Sequence, residues 1–162
     1  VISGGEPTLQ EGLIPFIQMI RNLGYQVKLD TNGSRPEIIK ALLKWQLCNY
    51  YAVDYKAPAK QYPKICGRGA NALKVIETIK LLSESNVPFE VRTTVIPQLG
   101  KDDLLIISKE IPVVPRYVLN RYKAPDKYLP QDEEKIRSKP YSQEEINFIA
   151  DSLKNFQPNI TK

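Results

Sequence analysis

Residues 1–7 read Val-Ile-Ser-Gly-Gly-Glu-Pro, a short apolar run that leads into two glycines, an acid and a proline. The apolar run is typical of a buried strand. The two glycines predict a turn with φ > 0 that exposes peptide groups to a ligand. Pro7 stiffens the exit from this turn because its ring restricts φ. Alone, the pattern also suits an ordinary strand-to-helix turn, so its meaning depends on the rest of the chain.

Four later segments have the composition of strands, and polar residues lie at their ends. They are rich in β-branched and aromatic residues and are closed by Gly, Pro, Asn or Asp, which predicts strands. These segments are residues 25–30, 50–55, 89–96 and 116–122. The residues 159–161 indicate the beginning of a further strand.

Helical patterns, with apolar residues three or four positions apart, lie between these strands. The predicted helices cover residues 12–23, 36–43, 70–85, 102–110 and 142–156. Ser34 is predicted to cap the second helix, and Ser142 with Glu145 forms a capping-box pattern before the last. Alternating strands and helices predict right-handed βαβ units and a parallel sheet. Since ligands bind outside the carboxyl ends of such strands, the polar clusters predict one shared site.

The composition predicts a single domain over residues 1–162. Hydrophobic residues make up 42% of the chain and charged residues 25%, which are ordinary globular values. The net charge of +5 comes from scattered Lys and Arg, which favours a solvated surface over nucleic-acid binding. No apolar run is long enough to span a bilayer and no signal peptide is visible, so we expect a cytoplasmic location without membrane contact.

The stretch 123–141 contains Pro125, Pro130, Pro140 and many charged residues, and it is predicted to be an irregular loop. So long a loop is either a functional cover or a mobile linker. It lies in a locally basic region, residues 116–139, which could face an acidic partner.

The chain contains two cysteines, Cys48 and Cys66, and no histidine. Two cysteines cannot by themselves hold a tetrahedral zinc ion or a cubane cluster, so both are predicted to be buried free thiols. The absence of histidine excludes Ser-His and Cys-His nucleophile schemes. A ligand site with so little general-base chemistry indicates that a bound cofactor performs the difficult step.

Four motifs occur in an order and spacing that match one protein family. They are Val-Ile-Ser-Gly-Gly-Glu-Pro-Thr-Leu-Gln at 1–10, Lys-Leu-Asp-Thr-Asn-Gly at 28–33, Asp-Tyr-Lys-Ala-Pro at 54–58 and Val-Arg-Thr-Thr-Val-Ile-Pro at 91–97. The chain resembles the radical S-adenosylmethionine (SAM) enzymes that activate glycyl-radical enzymes. The resemblance runs to about residue 156. It is closest to anaerobic ribonucleoside-triphosphate reductase activating proteins, with pyruvate formate-lyase activating enzymes next.

The resemblance implies an open, partial (β/α) barrel with SAM lying across the carboxyl ends of the strands. In this family a [4Fe–4S] cluster cleaves SAM reductively, and the 5′-deoxyadenosyl radical abstracts a hydrogen from a glycine of the partner enzyme. The implied partners are therefore a glycyl-radical enzyme, as protein substrate, and an electron donor such as flavodoxin or ferredoxin.

The resemblance also implies which residues bind SAM. Gly4, Gly5 and Glu6 resemble the segment whose backbone binds the methionine amino group of SAM. Lys56 and Arg92 resemble the cationic partners of the SAM carboxylate, where hydrogen bonds assisted by charge are the strong ones.

A monovalent cation beside the SAM carboxylate is implied as well. Its ligands would be Asp30, Thr31, Asp54 and the carbonyl oxygen of Val53. Hard oxygen ligands suit such a cation. Asn32, in the same motif as Asp30, completes the set of expected cofactor-binding residues.

One part of the family pattern is absent from residues 1–162. The family holds its cluster with a Cys-x-x-x-Cys-x-x-Cys loop upstream of the glycine motif, whereas this sequence begins at Val1. We therefore expect a fragment that lacks the first β-α unit and the cluster loop, contains no catalytic residue and is inactive alone. Two alternatives remain: a 7-carboxy-7-deazaguanine synthase-like enzyme, and a non-catalytic SAM- or protein-binding module. The residues Asp54 to Pro58 favour the activase, because that synthase family typically has Ser-Pro-Lys there.

Overall fold

The computed structural model describes residues 1–162, in which strands alternate with helices. The strands are β1 (Lys28–Thr31), β2 (Tyr50–Asp54), β3 (Phe89–Val95), β4 (Tyr117–Arg121) and β5 (Ile160–Thr161). The helices are α1 (Leu13–Asn22), α2 (Pro36–Lys44), α3 (Tyr62–Cys66), α4 (Ala72–Ser83), α5 (Lys101–Glu110), α6 (Glu133–Arg137) and α7 (Gln143–Leu153). Short 3-10 turns occur at Pro7–Leu9, Ala59–Gln61 and Pro130–Asp132.

The five strands form one parallel sheet in which their spatial order is their order along the chain. Right-handed crossovers between sequential parallel strands place every connecting helix on the same side of the sheet. One face is therefore covered by helices and the other is open, as in the wall of an incomplete barrel. The predicted α/β fold with a partial (β/α) barrel is confirmed.

The two faces of the sheet differ because successive strand residues point to opposite sides. The helix-covered face holds the apolar core, including the fully buried side chains of Leu29, Tyr51, Val53, Val91 and Tyr117. The opposite face, which we call the concave face, carries polar side chains at the alternate positions Lys28, Asp30, Tyr50, Asp54, Glu90 and Arg92. A polar face inside the barrel is suited to a polar ligand rather than to further core packing.

The first residues of the chain lie beside the outer edge of β1. Ile2 forms a single parallel bridge to Leu29: its N–H donates to the carbonyl of Lys28 (2.8 Å), and its carbonyl accepts from the N–H of Asp30 (2.9 Å). Val1 is 83% exposed. The strand predicted at residues 1–3 is thus a one-residue bridge and is not buried, because only Ile2 pairs with β1.

The helix predictions are largely confirmed, with one correction at a cap. Ser142 and Glu145 form the predicted capping box, in which each side chain accepts from the other residue's N–H. Ser34 does not cap α2, because the N-cap position is Arg35 and no side chain accepts a hydrogen bond there. The stretch 123–141 is not wholly irregular, since it contains a 3-10 turn and the five-residue helix α6. None of the helices has the length and apolar character required to cross a membrane.

Candidate functional site

The polar residues predicted from the sequence meet at the carboxyl ends of β1, β2 and β3. The strand register places Asp54 beside Arg92 and Thr31 beside Val53. The glycine turn that follows Ile2 approaches the same edge of the sheet. Together they enclose a cavity of about 80 Å³ with no hydrophobic residue in its lining. The lining residues are Ser3, Gly4, Gly5, Glu6, Asp30, Thr31, Asn32, Asp54, Lys56 and Arg92.

Arg92 joins the two aspartates of this cavity. Its Nη1 lies 3.0 Å from Oδ2 of Asp30, and its Nε lies 2.9 Å from Oδ1 of Asp54. Burial acts to lower the pKa of Arg92, but the ion pairs and hydrogen bonds with Asp54 and Asp30 outweigh it and raise that pKa. The guanidinium is thus a permanent positive charge between two carboxylates. The guanidinium is already hydrogen-bonded within the protein, whereas the resemblance implies that it contacts the SAM carboxylate directly.

Lys56 is less engaged within the protein than Arg92, the other basic residue of the cavity. Its Nζ lies 3.6 Å from Oδ2 of Asp54, and its side chain is 49% exposed. Such a side chain can turn to an anion with little loss of internal contacts. Of the two predicted partners for a carboxylate, Lys56 is the one whose geometry leaves it available.

One oxygen of Asp30 has no hydrogen-bond partner although it is buried. This Oδ1 has Lys28 Nζ at 3.7 Å, which is too far for a hydrogen bond. A buried carboxylate oxygen without a donor is costly, which makes it a candidate acceptor for a ligand's ammonium group or for a cation.

Glu6 is fully engaged inside the protein. Its Oε1 accepts from the N–H of Thr8 (3.1 Å), the hydroxyl of Thr8 (2.6 Å) and the hydroxyl of Thr31 (2.7 Å), while Oε2 accepts from the N–H of Asn32 (2.6 Å). The carboxylate therefore caps the 3-10 turn that follows it and ties the glycine turn to the end of β1. Glu6 thereby positions the glycine backbone beside the cavity.

The four expected cation ligands do not all present oxygens to the cavity. Asp30 and Asp54 lie on the concave face, but Thr31 lies on the other face, where its hydroxyl donates to Glu6 and accepts from the N–H of Gly33 (3.0 Å). Val53 is fully buried in the middle of the sheet, paired with a strand on each side. No three His, Cys, Asp or Glu side chains come together as metal ligands. The monovalent cation stays a prediction, carried by two carboxylates.

The two glycines of the turn have different roles. Gly4 has φ of +127°, a conformation that residues with side chains rarely adopt, whereas Gly5 is not among the residues with positive φ. A Cβ atom at either position would meet no atom within 4 Å. The predicted left-handed turn is therefore confirmed at Gly4 alone, and the space in front of both glycines is open.

A second, larger cavity of about 710 Å³ adjoins the first and shares Asn32, Asp54 and Lys56 with it. Its other walls include Cys66, Thr94 and Tyr122, which were not expected at the site from the sequence. Thr94 could have been found, since it follows Arg92 by two positions in β3 and so lies on the same face. Cys66 is the last residue of α3 and Tyr122 directly follows β4, and no strand period predicts either position.

The residues present fit the polar end of SAM but do not fit an iron–sulfur cluster. A small polar cavity with an open glycine turn, an available lysine and an unpaired carboxylate oxygen suits an amino acid's ammonium and carboxylate groups. Cys48 precedes β2 at the opposite end of the sheet and is buried, whereas Cys66, half-buried rather than buried as expected, lines the larger cavity. Burial raises the pKa of Cys48 to about 11 and also raises that of Cys66, so neither thiol is readily a thiolate ligand.

The fold and this site together define the class of protein. A sequential parallel sheet, open on a polar face and closed at its carboxyl ends by a glycine turn, is the wall of a partial barrel whose cavity suits a small polar ligand. The family model described as the Radical SAM superfamily matches residues 1–111, more than half of the chain. The chain belongs to the radical SAM superfamily.

One protein is similar to this chain in sequence, and two solved structures are similar to it in fold. A protein of Methanocaldococcus jannaschii, provisionally named a glycyl-radical enzyme activating enzyme, is 31% identical over 167 residues that cover 99% of this chain and 68% of that protein. A domain of pyruvate-formate lyase-activating enzyme from Bacteroides vulgatus superposes with a TM-score of 0.72 at 18% identity, covering 99% of this chain and 95% of that domain. TYW1 with a lysine-pyruvate adduct gives 0.69 at 19% identity, with 96% of this chain covered. The two structures show the fold alone, and the chain spans about half (49%) of the TYW1 chain.

Proposed function

We propose that this chain is the SAM-binding part of a radical SAM activase that abstracts a hydrogen atom from a glycine of a partner enzyme such as anaerobic ribonucleotide reductase. The observation that carries the proposal is the polar cavity at the strand ends, in which Gly4, Asp30, Lys56 and Arg92 converge. The activase assignment is supported by the 31% identity to the Methanocaldococcus jannaschii protein.

The contacts support a different role for each of these residues around the methionine end of SAM. Lys56, which is exposed, pairs with the carboxylate of SAM. The glycine backbone and the unpaired Oδ1 of Asp30 accept hydrogen bonds from its ammonium group. Arg92 holds Asp30 and Asp54 in place between the strands through its hydrogen bonds to both. The monovalent cation, where bound, uses the two aspartates and shares the carboxylate of SAM.

The chemistry that SAM supplies when bound is a 5′-deoxyadenosyl radical, formed by one-electron reduction. A [4Fe–4S] cluster, reduced by a donor such as flavodoxin or ferredoxin, would supply the electron. Residues 1–162 do not provide cysteine ligands for that cluster, so we assign no step of the electron transfer to residues of this chain.

The proposal is tested by electron paramagnetic resonance of anaerobic ribonucleotide reductase mixed with SAM, a reductant and the protein. Joined to a cluster-binding segment, the chain is expected to produce a glycyl radical in the reductase and to release 5′-deoxyadenosine. Residues 1–162 alone are expected to bind SAM in calorimetry yet to produce neither. Failure to bind SAM would contradict the proposed site, and a radical produced by the chain alone would contradict its inactivity.

We further propose that the segment 120–141 contributes to the interface with the partner enzyme. Tyr122, in this segment, lines the larger cavity. Reversing the charges of Arg121, Lys123 and Lys127 to Glu is expected to slow activation of the partner several-fold at low salt, because oppositely charged surfaces speed association. The effect should shrink as salt screens these exposed charges. SAM cleavage without the partner is the internal control and should not change. Unaltered activation at low salt would remove this segment from the interface.

A further inference from the structure

One segment of the chain has a net charge equal to that of the whole protein. The chain has 23 Lys and Arg residues against 18 Asp and Glu residues, a formal charge of +5. Residues 56–74, which we call the basic segment, contain five basic residues and no acidic residue, which leaves 18 basic and 18 acidic residues elsewhere. The basic residues are Lys56, Lys60, Lys64, Arg68 and Lys74. Outside this segment the chain is formally neutral.

The charges of the basic segment are exposed and almost unpaired. All five basic side chains are exposed, and only Lys56 has a salt-bridge partner, Asp54 at 3.6 Å. Residues 59–66 are helical, so Lys60 and Lys64 are four residues apart on one face. Like charges at that spacing destabilise a helix by a few tenths of a kcal/mol, roughly 0.2–0.5. The local fold therefore tolerates a repulsion that an anionic partner would relieve.

The basic segment is fixed in place by contacts with the rest of the protein. Tyr62 is buried and stacks on Tyr55 with ring centroids 5.4 Å apart. The amide of Gln61 donates to Asp103 (2.6 Å), and the N–H of Ala59 donates to Glu110 (2.9 Å). A surface that is already ordered loses less conformational entropy when a partner binds.

The basic segment also forms one wall of the cavity of about 710 Å³. Lys56 and Arg68 both line this cavity. Asp54 is the one acidic residue of the lining against these two basic residues, so the net charge at the opening is positive and attracts the opposite charge. SAM carries a net positive charge, because its sulfonium and ammonium groups outnumber its one carboxylate, so SAM accounts for Lys56 but not for the other four basic residues. They fit a different, anionic partner.

We infer that the basic segment is a docking surface for an acidic stretch of the protein substrate, whose backbone enters the adjoining cavity. This inference rests on the proposed function and identifies the face that receives the substrate. A polypeptide fits better than a nucleic acid. Nucleic-acid grooves pair a long basic track with exposed aromatic side chains, whereas here the charge ends at residue 74 and Tyr62 is buried.

The test is fluorescence anisotropy of a labelled twelve-residue peptide, with four Asp and Glu residues around a central glycine, titrated with residues 1–162. The informative variant is Lys60→Glu/Lys64→Glu. Its matched control is Lys40→Glu/Lys44→Glu, which changes the net charge equally at the same four-residue spacing on exposed positions of α2. We expect the first variant to bind the peptide about tenfold more weakly at low salt and the control to bind as wild type. Circular dichroism establishes that both variants remain folded.

Three outcomes would overturn the inference. Equal weakening by both variants would reduce the effect to net charge, and unchanged binding by Lys60→Glu/Lys64→Glu would exclude the surface. Tighter binding of a twelve-nucleotide single strand than of the acidic peptide would assign the surface to nucleic acid. Because peptide binding requires neither SAM nor the cluster, its failure is distinguishable from failure of SAM binding, which would contradict the proposed function.

Discussion

Replacing Arg92 with alanine is expected to lower both the stability of the protein and its affinity for SAM. The substitution leaves Asp30 and Asp54 facing each other without the cation that joins them. Breaking a buried ion pair costs about 3–5 kcal/mol. Here the side chains are still 19–32% exposed, so we expect a loss of roughly 2–3 kcal/mol in the free energy of unfolding.

Lys56→Ala provides the contrast. Lys56 is half exposed and its one ionic contact, with Asp54, is 3.6 Å long, so its loss should leave the melting temperature nearly unchanged. It should still weaken SAM binding about ten- to hundredfold, since a hydrogen bond to a charged group contributes roughly 1.5–3 kcal/mol.

Calorimetric titration with SAM and thermal unfolding separate the two residues. The expected pattern is weaker binding in both variants and a lower melting temperature in Arg92→Ala alone. Arg92→Lys should recover part of the stability, because it retains the charge but cannot contact both carboxylates as a planar fork. Wild-type SAM affinity in Lys56→Ala would show that this lysine does not bind the carboxylate.

Replacing Glu6 with alanine is expected to produce a second large effect. The carboxylate accepts four hydrogen bonds, from Thr8, Thr31 and Asn32, and is buried. Its removal leaves these donors without their partner, at about 1–3 kcal/mol for each buried group left unsatisfied. Since the hydroxyls can find other partners, we expect a total loss of roughly 3 kcal/mol and a melting temperature lower by about 6–12 °C.

Two further variants decide whether the loss of these hydrogen bonds causes the lower stability of Glu6→Ala. Glu6→Gln should not fully restore stability: all four groups that contact the carboxylate are donors, and an amide nitrogen cannot accept from the N–H of Asn32. Glu11→Ala, at an exposed position nearby, removes the same charge and should have little effect. A melting temperature for Glu6→Ala close to that of Glu11→Ala would contradict the role assigned to Glu6.

Much of the fold could be predicted from local pattern. The strand and helix positions follow from hydrophobic periodicity and from the Gly, Pro and Asn residues that end each element. Both signals are local, because each can be recognised in a stretch of about ten residues. The glycine motif and Asp54-Tyr55-Lys56 indicated the superfamily and the edge of the sheet where the site lies. The period-two alternation of a strand also separates Asp30 from Thr31, so their opposite faces were predictable in principle.

What the sequence determined by itself is therefore the order of the elements, the polar ends of the strands and the family to which the chain belongs. Only the tertiary structure decided how the polar side chains are paired. Arg92 meets Asp30 across 62 positions of the chain and Asp54 across 38, and Glu6 reaches Thr31 across 25. These pairs depend on strand register and on the placement of the glycine turn against β1. A side chain forms hydrogen bonds only with polar groups that the folded chain brings within about 3 Å. That is why the side chain of Glu6, which lines the cavity, also joins the glycine turn to the end of β1.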